Sequence, residues 1–349
     1  MNKLQDPDLR GLATGIGSLP HRDARKAVEL VFKYAPRIPF WPQLPKRDVR
    51  EGMLAQFSEN LPFLSVDKDG LRFDALVAQD RALEIFYEKI IAGDIDYFKI
   101  SENYAQGLYA FSNRLEASDL ARIKFIKCHI TGPFSFAASV KDYNAVALLH
   151  DAVFLQALIK GLTMKALWQI RFFQKFGKKI ILFIDEPYLS CFGSAYTPLN
   201  KEDVTFCLTE LTSGIKQSQD VLVGVHCCGN ADWSIFTDSA GIDIINFDAF
   251  GFRERFVLYA DNLKGFLKKG GIICWGIVPT QGFSGQETPE SLAAGIQEAI
   301  DFLEKKGLDR KALEERLLIS PSCGLGSLDI EVSEKILELL AKTSAYLAK

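Results

Sequence analysis

His226 and Cys228 stand two residues apart where an apolar run ends, in V-L-V-G-V-H-C-C-G-N over residues 221–230. The run is short, β-branched and closed by a Gly-Asn turn signal, which predicts a buried strand. Side chains alternate along a strand, so His226 and Cys228 share one side and Cys227 takes the other. An imidazole and a thiol fixed side by side are half of a zinc site, because this borderline-soft ion accepts both donors. Read alone, H-C-C is equally a buried cysteine beside a core histidine. Cys323 tilts the reading, since it lies in the turn-rich S-P-S-C-G-L-G-S and not in an apolar run. Asp248 ends I-I-N-F-D, sharing a face with Ile244 and Asn246; it reads as a fourth ligand or catalytic carboxylate, and equally as a helix cap. Two thiolates, one imidazole and at most one weak carboxylate leave a position for an exchangeable ligand, the arrangement of a catalytic zinc. A thiol entering there would lose its proton and become a nucleophile at neutral pH.

Two further groups have useful chemistry. Asp185 and Glu186 end the apolar strand in I-D-E-P-Y-L, where a carboxylate can hold an ammonium or act as a base; D-E-P is also an ordinary cap-and-turn sequence. Ile16, Gly17 and Ser18 can present backbone N–H groups and a hydroxyl to a carboxylate, though G-S-L-P is a common turn as well. His21 and His129 have no partners at useful spacing and read as structural or surface residues.

The elements that must position these groups alternate. Strands are expected at 12–20, 97–101, 123–130, 179–184, 221–228, 242–247, 271–277 and 316–320, with an extended, proline-bounded piece at 38–45. Helices are expected at 21–34, 46–61, 75–92, 104–117, 144–176, 201–217, 233–240, 256–267, 289–306 and 330–347. A turn-rich stretch at 64–74 reads as a small hairpin inserted in the N-terminal half. Alternation of this kind argues for α/β with a parallel sheet. One early strand candidate is surplus, and the remaining βα units predict a single (β/α)8 TIM barrel over residues 1–349. No G-x-G-x-x-G follows the first strand, which argues against a dinucleotide fold. In a barrel, Ser18, Asp185, Glu186, His226, Cys228, Asp248 and Cys323 all sit at the C-terminal strand ends, so they converge on one ring.

Composition sets the remaining bounds. The 349 residues are 48% hydrophobic and 24% charged, with a net charge of -3, which gives no general pull toward nucleic acid or anionic membrane. Residues 1–10 are polar without an apolar signal core, and no apolar run is long enough to span a bilayer. Seven cysteines, an odd number, with Cys128, Cys191, Cys207 and Cys274 in apolar runs, suit a reducing cytoplasm and a buried packing role for these four.

The ordered motifs resemble the superfamily that joins cobalamin-independent methionine synthase, the corrinoid:coenzyme M methyltransferases and uroporphyrinogen decarboxylase. I-G-S-L-P near the N-terminus, T-G-P and I-D-E-P after later strands, and H-x-C followed by a carboxylate and a late Cys-Gly occur in the order of the methionine synthase catalytic barrel. H-C-C-G-N with G-I-D-I-I-N-F-D is similar to the corrinoid-linked methyltransferases. The resemblance implies His226, Cys228 and Cys323 as zinc ligands, with Asp248 where methionine synthase has a glutamate. It further implies that Ile16, Gly17 and Ser18 receive an amino-acid carboxylate and that Asp185 receives the amino group. The implied reaction moves a methyl group from a corrinoid or folate-type donor to a small thiol such as homocysteine, with a corrinoid protein as a partner. After T-G-P the chain reads F-S-F-A-A-S-V, without the tryptophan of a folate platform, and Gln43 to Arg47 stand where a second substrate carboxylate is expected. The alternatives are a coenzyme M-type methyltransferase, a non-catalytic corrinoid- or metabolite-binding barrel, and a metal-free decarboxylase-like lyase. The last would need an early arginine motif that Arg22 and Arg25 do not form.

Overall fold

The parallel strands of this chain are buried on both faces, and their sequences show it. Lys179–Asp185, Val221–Cys227 and Ile272–Val278 are almost continuously apolar, and Phe125–Thr131 is buried along its whole length, as expected where helices cover one face and a second core fills the other. The computed structural model describes residues 9–74, 79–194, 199–218 and 221–349. Residues 1–8, in the polar N-terminal stretch, and residues 75–78, at the start of the helix expected over 75–92, lie outside the described residues.

The strands are β1 (Leu12–Ala13), β2 (Leu64–Asp67), β3 (Gly70–Phe73), β4 (Phe125–Thr131), β5 (Lys179–Asp185), β6 (Val221–Cys227), β7 (Ile244–Asp248), β8 (Ile272–Val278) and β9 (Leu317–Pro321). Helices α1 (Ala24–Tyr34), α2 (Gln79–Ile91), α3 (Gln106–Glu116), α4 (Pro133–Ser139), α5 (Ala152–Gln174) and α6 (Lys201–Ile215) accompany the first part of the chain. They are followed by α7 (Trp233–Asp238), α8 (Ala249–Phe256), α9 (Ala260–Lys268), α10 (Pro289–Lys305), α11 (Arg310–Glu315) and α12 (Ile330–Leu347). None of the described helices is long and apolar enough to cross a membrane.

Seven strands form one curled parallel sheet in the order β1-β9-β8-β7-β6-β5-β4. Period-two alternation sorts their side chains into two cores. Phe125, Ile181, Phe183, Leu222, Ile244, Ile272, Cys274 and Leu318 pack together on the concave side. Their neighbours Ile126, Ile180, Val223, Ile245, Ile273 and Ile319 join the larger core under the helices.

The sheet itself holds seven of the eight strands expected. Between the two sheet edges runs the extended segment 38–45, which touches both through isolated parallel bridges, Phe40 to Lys127 and Ser18 to Gln43. Lys127 N–H donates to the Pro39 carbonyl at 2.9 Å, Gln43 N–H to Gly17 at 3.0 Å and Leu19 N–H to Gln43 at 2.9 Å. Proline lacks an N–H, and Pro39, Pro42 and Pro45 interrupt the donors here, so the segment cannot form a regular ladder.

Other expectations also shift. The strand expected at 97–101 is a 3₁₀ turn, Ile95–Phe98, capped by Asp94. The helix expected at 46–61 is two 3₁₀ turns, Val49–Glu51 and Ala55–Phe57, separated where Gly52 turns extended. The long helix starts only at Ala152, behind the Asp151 cap. The one expected at 256–267 is split into α8 and α9 around a 3₁₀ turn. The hairpin at 64–74 is present as the antiparallel β2–β3 pair. Cys128 and Cys274 are buried as expected, whereas Cys191 is exposed and Cys207 half-buried.

The 38–45 segment is clamped from outside by α3. A Cβ at Gly107, in the first turn of that helix, would lie 1.9 Å from the Pro42 carbonyl oxygen. Gly107→Ala must therefore push α3 off the segment, and overpacking against rigid backbone costs about 3 kcal/mol. Urea denaturation is expected to show that loss; unchanged stability would mean that α3 does not clamp this segment.

Candidate metal and substrate site

The sheet register brings the sequence-predicted residues to one end. Thr131 of β4 aligns with Asp185 of β5, Asp185 with His226 of β6, and His226 with Asn246 of β7. Cys228 follows β6 directly, and Cys323 lies two residues beyond β9. The ligand atoms of His226, Cys228 and Cys323 lie within 4.8 Å of one another, a group that could hold a metal ion. Cys227 points the other way into the core under the helices, and burial pushes its thiol up to about 12.

The histidine has been prepared for one role by its neighbours. Asn246 donates from its amide nitrogen to the Cys274 carbonyl and to Ser320 Oγ, both at 2.8 Å. Ser320 in turn donates its hydroxyl proton to the Pro321 carbonyl at 2.8 Å. With the nitrogen end committed, Asn246 Oδ1 must face His226, and it lies 2.5 Å from Nδ1. Nδ1 therefore carries the proton. That leaves the Nε2 lone pair aimed at the two thiols, and Nε2 is buried with no hydrogen-bond partner among the described residues. A buried acceptor without a donor is costly, and a bound cation would satisfy it. The residues thus fit zinc: a tautomer-fixed imidazole, two sulfurs, and an outer shell that holds the ring.

The two thiols are not equivalent. The Cys323 thiol beside it holds the Cys228 sulfur low, to about 4, against the opposing effect of burial. The same interaction and burial push Cys323 far up. One sulfur is thus already a thiolate, and the other brings its proton into the site.

Asp248 is not part of this cluster. It caps α8, its Oδ1 accepting from Gly251 N–H at 2.7 Å. Glu186, expected to touch substrate, is fully buried in a different task. Its carboxylate accepts from Phe134 N–H at 3.0 Å, Ser135 N–H at 2.8 Å and Ser135 Oγ at 2.7 Å, across the start of α4. Burial pushes it up to about 7, while these donors oppose the shift. Asp185 remains available: its Oδ1 is buried and without a partner among the described residues. Burial raises it to about 6, and the nearby His226 and Lys127 charges pull the other way.

Ile16, Gly17 and Ser18 form the adjoining wall. The Ser18 carbonyl accepts from Leu325 N–H at 3.0 Å and its hydroxyl from Gly326 N–H at 3.1 Å, which joins this wall to the Cys323 loop. The N–H groups of Gly17 and Ser18 have no protein acceptor among the described residues. Sequence reasoning passed over Lys127, His129, Asn246 and Ser320. The available signal was polarity at inward positions of apolar strands: F-I-K-C-H-I for the first pair and I-I-N-F-D for Asn246.

No family model matches the chain. Fold and donor set nevertheless define a class, the α/β proteins whose curled parallel sheet gathers polar groups at the ends of its strands. Within it, the chain is 26% identical over 251 residues to the methionine synthase of Methanocaldococcus jannaschii, covering 71% of this chain and 72% of that protein. A B12-independent methionine synthase from Shewanella sp. W3-18-1, solved with selenomethionine, superposes with a TM-score of 0.59 at 15% identity over 97% of this chain and 98% of that one. The chain is therefore similar in sequence to a methionine synthase along most of its length and shares the fold of a B12-independent one.

The two side-chain assignments can be checked separately. Asn246→Leu is expected to lower zinc affinity 10- to 100-fold, the usual cost of losing a partner that orients a ligand, read by chelator competition. Unchanged affinity would mean that Asn246 does not set the tautomer. Glu186→Gln turns an amide N–H₂ toward the α4 donors and is expected to cost about 2 kcal/mol of stability, with little change in zinc affinity.

Proposed function

We propose that this protein is a zinc-dependent methyltransferase that moves a methyl group from a corrinoid or folate-type donor to a small thiol, homocysteine first among them. The observation that carries the reading is the convergence of His226 Nε2, Cys228 and Cys323 beside an unpartnered Asp185 carboxylate. The similarity to two methionine synthases supports it. We also read the whole chain as one cytoplasmic (β/α)8 barrel, with the segment 38–45 in the eighth strand position. The two bridges of that segment support this closure.

His226, Cys228 and Cys323 would hold the zinc, and Asp248 would keep its cap. Bound there, zinc would lower the pKa of an entering thiol and keep it a thiolate at neutral pH. Three protein ligands leave the position that such a thiol needs. The rest follows from the chain's own groups. Asp185 receives the substrate ammonium, and the free N–H groups of Gly17 and Ser18 receive its carboxylate. Fixing both ends of the amino acid leaves its sulfur one direction in which to point, toward the cysteines, which supplies the orientation a displacement requires. Attack then transfers the methyl group to sulfur as its bond to the donor breaks, and the donor leaves with that bonding pair.

Protein purified without added metal is expected to hold about one zinc per chain, with most of it lost in Cys228→Ser and in Cys323→Ser. Zinc loading of apo protein should release at least one proton per chain, because Cys323 enters protonated. Homocysteine should be converted to methionine with methylcobalamin or methyltetrahydrofolate as donor, and the donor that works identifies the partner class. Zinc-free protein that converts homocysteine with neither donor would overturn the proposal.

Asp185 adds a pH dependence. Its carboxylate is ionised above about 6, and only the ionised form pairs with an ammonium. Homocysteine KM is therefore expected to rise as pH falls through 6, and Asp185→Asn is expected to flatten that step. A step of the same size in Asp185→Asn would assign it to another group.

A further inference from the structure

Two inward-facing residues of β4 take no part in the chemistry above. Lys127 is 0% exposed. Its Nζ donates to the Ile16 carbonyl and lies 4.4 Å from the centre of the Phe183 ring. His129, two residues on, stacks on Trp41 with ring centres 3.9 Å apart. Neither of its ring nitrogens has a partner among the described residues. The Gly17 backbone runs directly over this ring: a Cβ at Gly17 would lie 2.8 Å from His129 Cε1 and 2.9 Å from Nδ1. Gln169 locks the stack from behind, accepting from Trp41 Nε1 and donating to the His129 carbonyl, both at 3.0 Å.

These contacts have a directional consequence. The Ile16 C=O and the Gly17 N–H belong to one planar trans peptide and point in opposite directions. Lys127 holds the Ile16 carbonyl, so the Gly17 N–H must point away from the Lys127 ammonium. We propose that Lys127 and His129 are the positioning residues of the amino-acid subsite: Lys127 sets the orientation of the Ile16–Gly17 peptide, and His129 sets how deep it sits. The proposal rests on the substrate reading given above. It assigns to Lys127 something more specific than a counter-charge for Asp185. A lysine that served only Asp185 would strengthen binding of the ammonium. A lysine that aims a peptide N–H strengthens binding of the carboxylate.

That difference is measurable with two thiols, homocysteine and 3-aminopropanethiol, which lacks the carboxylate. Lys127→Met keeps the length of the side chain and removes the buried charge. The change leaves the buried Ile16 carbonyl without its donor, so a modest fall in melting temperature is expected, while the zinc content should not change. Homocysteine affinity by calorimetry is expected to fall at least tenfold, while 3-aminopropanethiol affinity stays within twofold. Equal losses for both thiols, or none, would overturn the positioning role and leave the substrate reading intact. Parent protein that binds neither thiol would overturn both.

A second pair of variants tests the floor and also serves if Lys127→Met does not fold. Gly17→Ala is expected to lose homocysteine affinity at least tenfold, and Gly17→Ala/His129→Ala to regain part of it, because the second change removes the ring that the new Cβ strikes while the positive φ of residue 17 still strains an alanine. Failure of the double variant to recover would overturn the role given to His129.

Discussion

A neutral imidazole offers a lone pair only from the nitrogen that does not carry its proton, and one chain of hydrogen bonds decides which nitrogen that is. The Pro321 carbonyl accepts from Ser320, Ser320 from Asn246, and Asn246 from His226. Each member has a single consistent direction, because Asn246 also donates to the Cys274 carbonyl and so cannot flip its amide. The chain crosses β6, β7 and β9 and passes the β8 carbonyl of Cys274. It therefore ties the chemistry of Nε2 to the registers of half the sheet. A slip of one residue in any of these strands would turn its inward group outward and break the chain that fixes the His226 tautomer.

The same concave face of the sheet has to tolerate a concentration of polar groups. Its lower part, around Phe125, Ile181, Leu222, Ile244, Ile272 and Leu318, is an ordinary apolar filling. Above it sit Lys127, His129 and His226, each excluded from water or nearly so, with the half-buried Asp185 beside them. Removing such groups from water without partners is expensive. Here the cost is contained by pairing charge with fixed dipoles and ring faces: Lys127 with the Ile16 carbonyl and Phe183, His129 with Trp41. Burial also depresses the basicity of both, down to about 8 for Lys127 and well below the ordinary range for His129. The atoms left without partners, His226 Nε2, Asp185 Oδ1 and both nitrogens of His129, lie near the strand ends where a ligand would enter.

Much of this was legible in the residue order. Alternation of strand and helix gave the α/β class, and placing polar residues at strand ends anticipated the meeting of His226, Cys228 and Cys323. Period-two geometry separated Cys227 from its neighbours. Three things were not legible, each for a physical reason. The segment 38–45 occupies the gap between the sheet edges, yet its prolines forbid a ladder, so neither a strand signal nor a clean eighth strand is present. Y-F-K-I-S at 97–101 has strand-like composition, but Asp94 caps a 3₁₀ turn there and Phe98 is buried as part of that turn. Asp248 and Glu186 have the right chemistry at the right strand ends, but helix starts claim them. Sequence places a carboxylate; it does not reveal which donors reach it first.

Those two claimed carboxylates shape the site by what they leave open. Glu186 fixes α4 directly after T-G-P, and a Cβ at Gly132 would lie 2.2 Å from its Cδ, so this wall tolerates no larger residue. Asp248, turned to α8, leaves the three-donor cluster uncrowded on the β7 side. A fourth protein ligand would complete a tetrahedron and close the ion to exchange. With Asp248 held by Gly251 N–H, an ion bound by the three donors would take its fourth ligand from outside the chain.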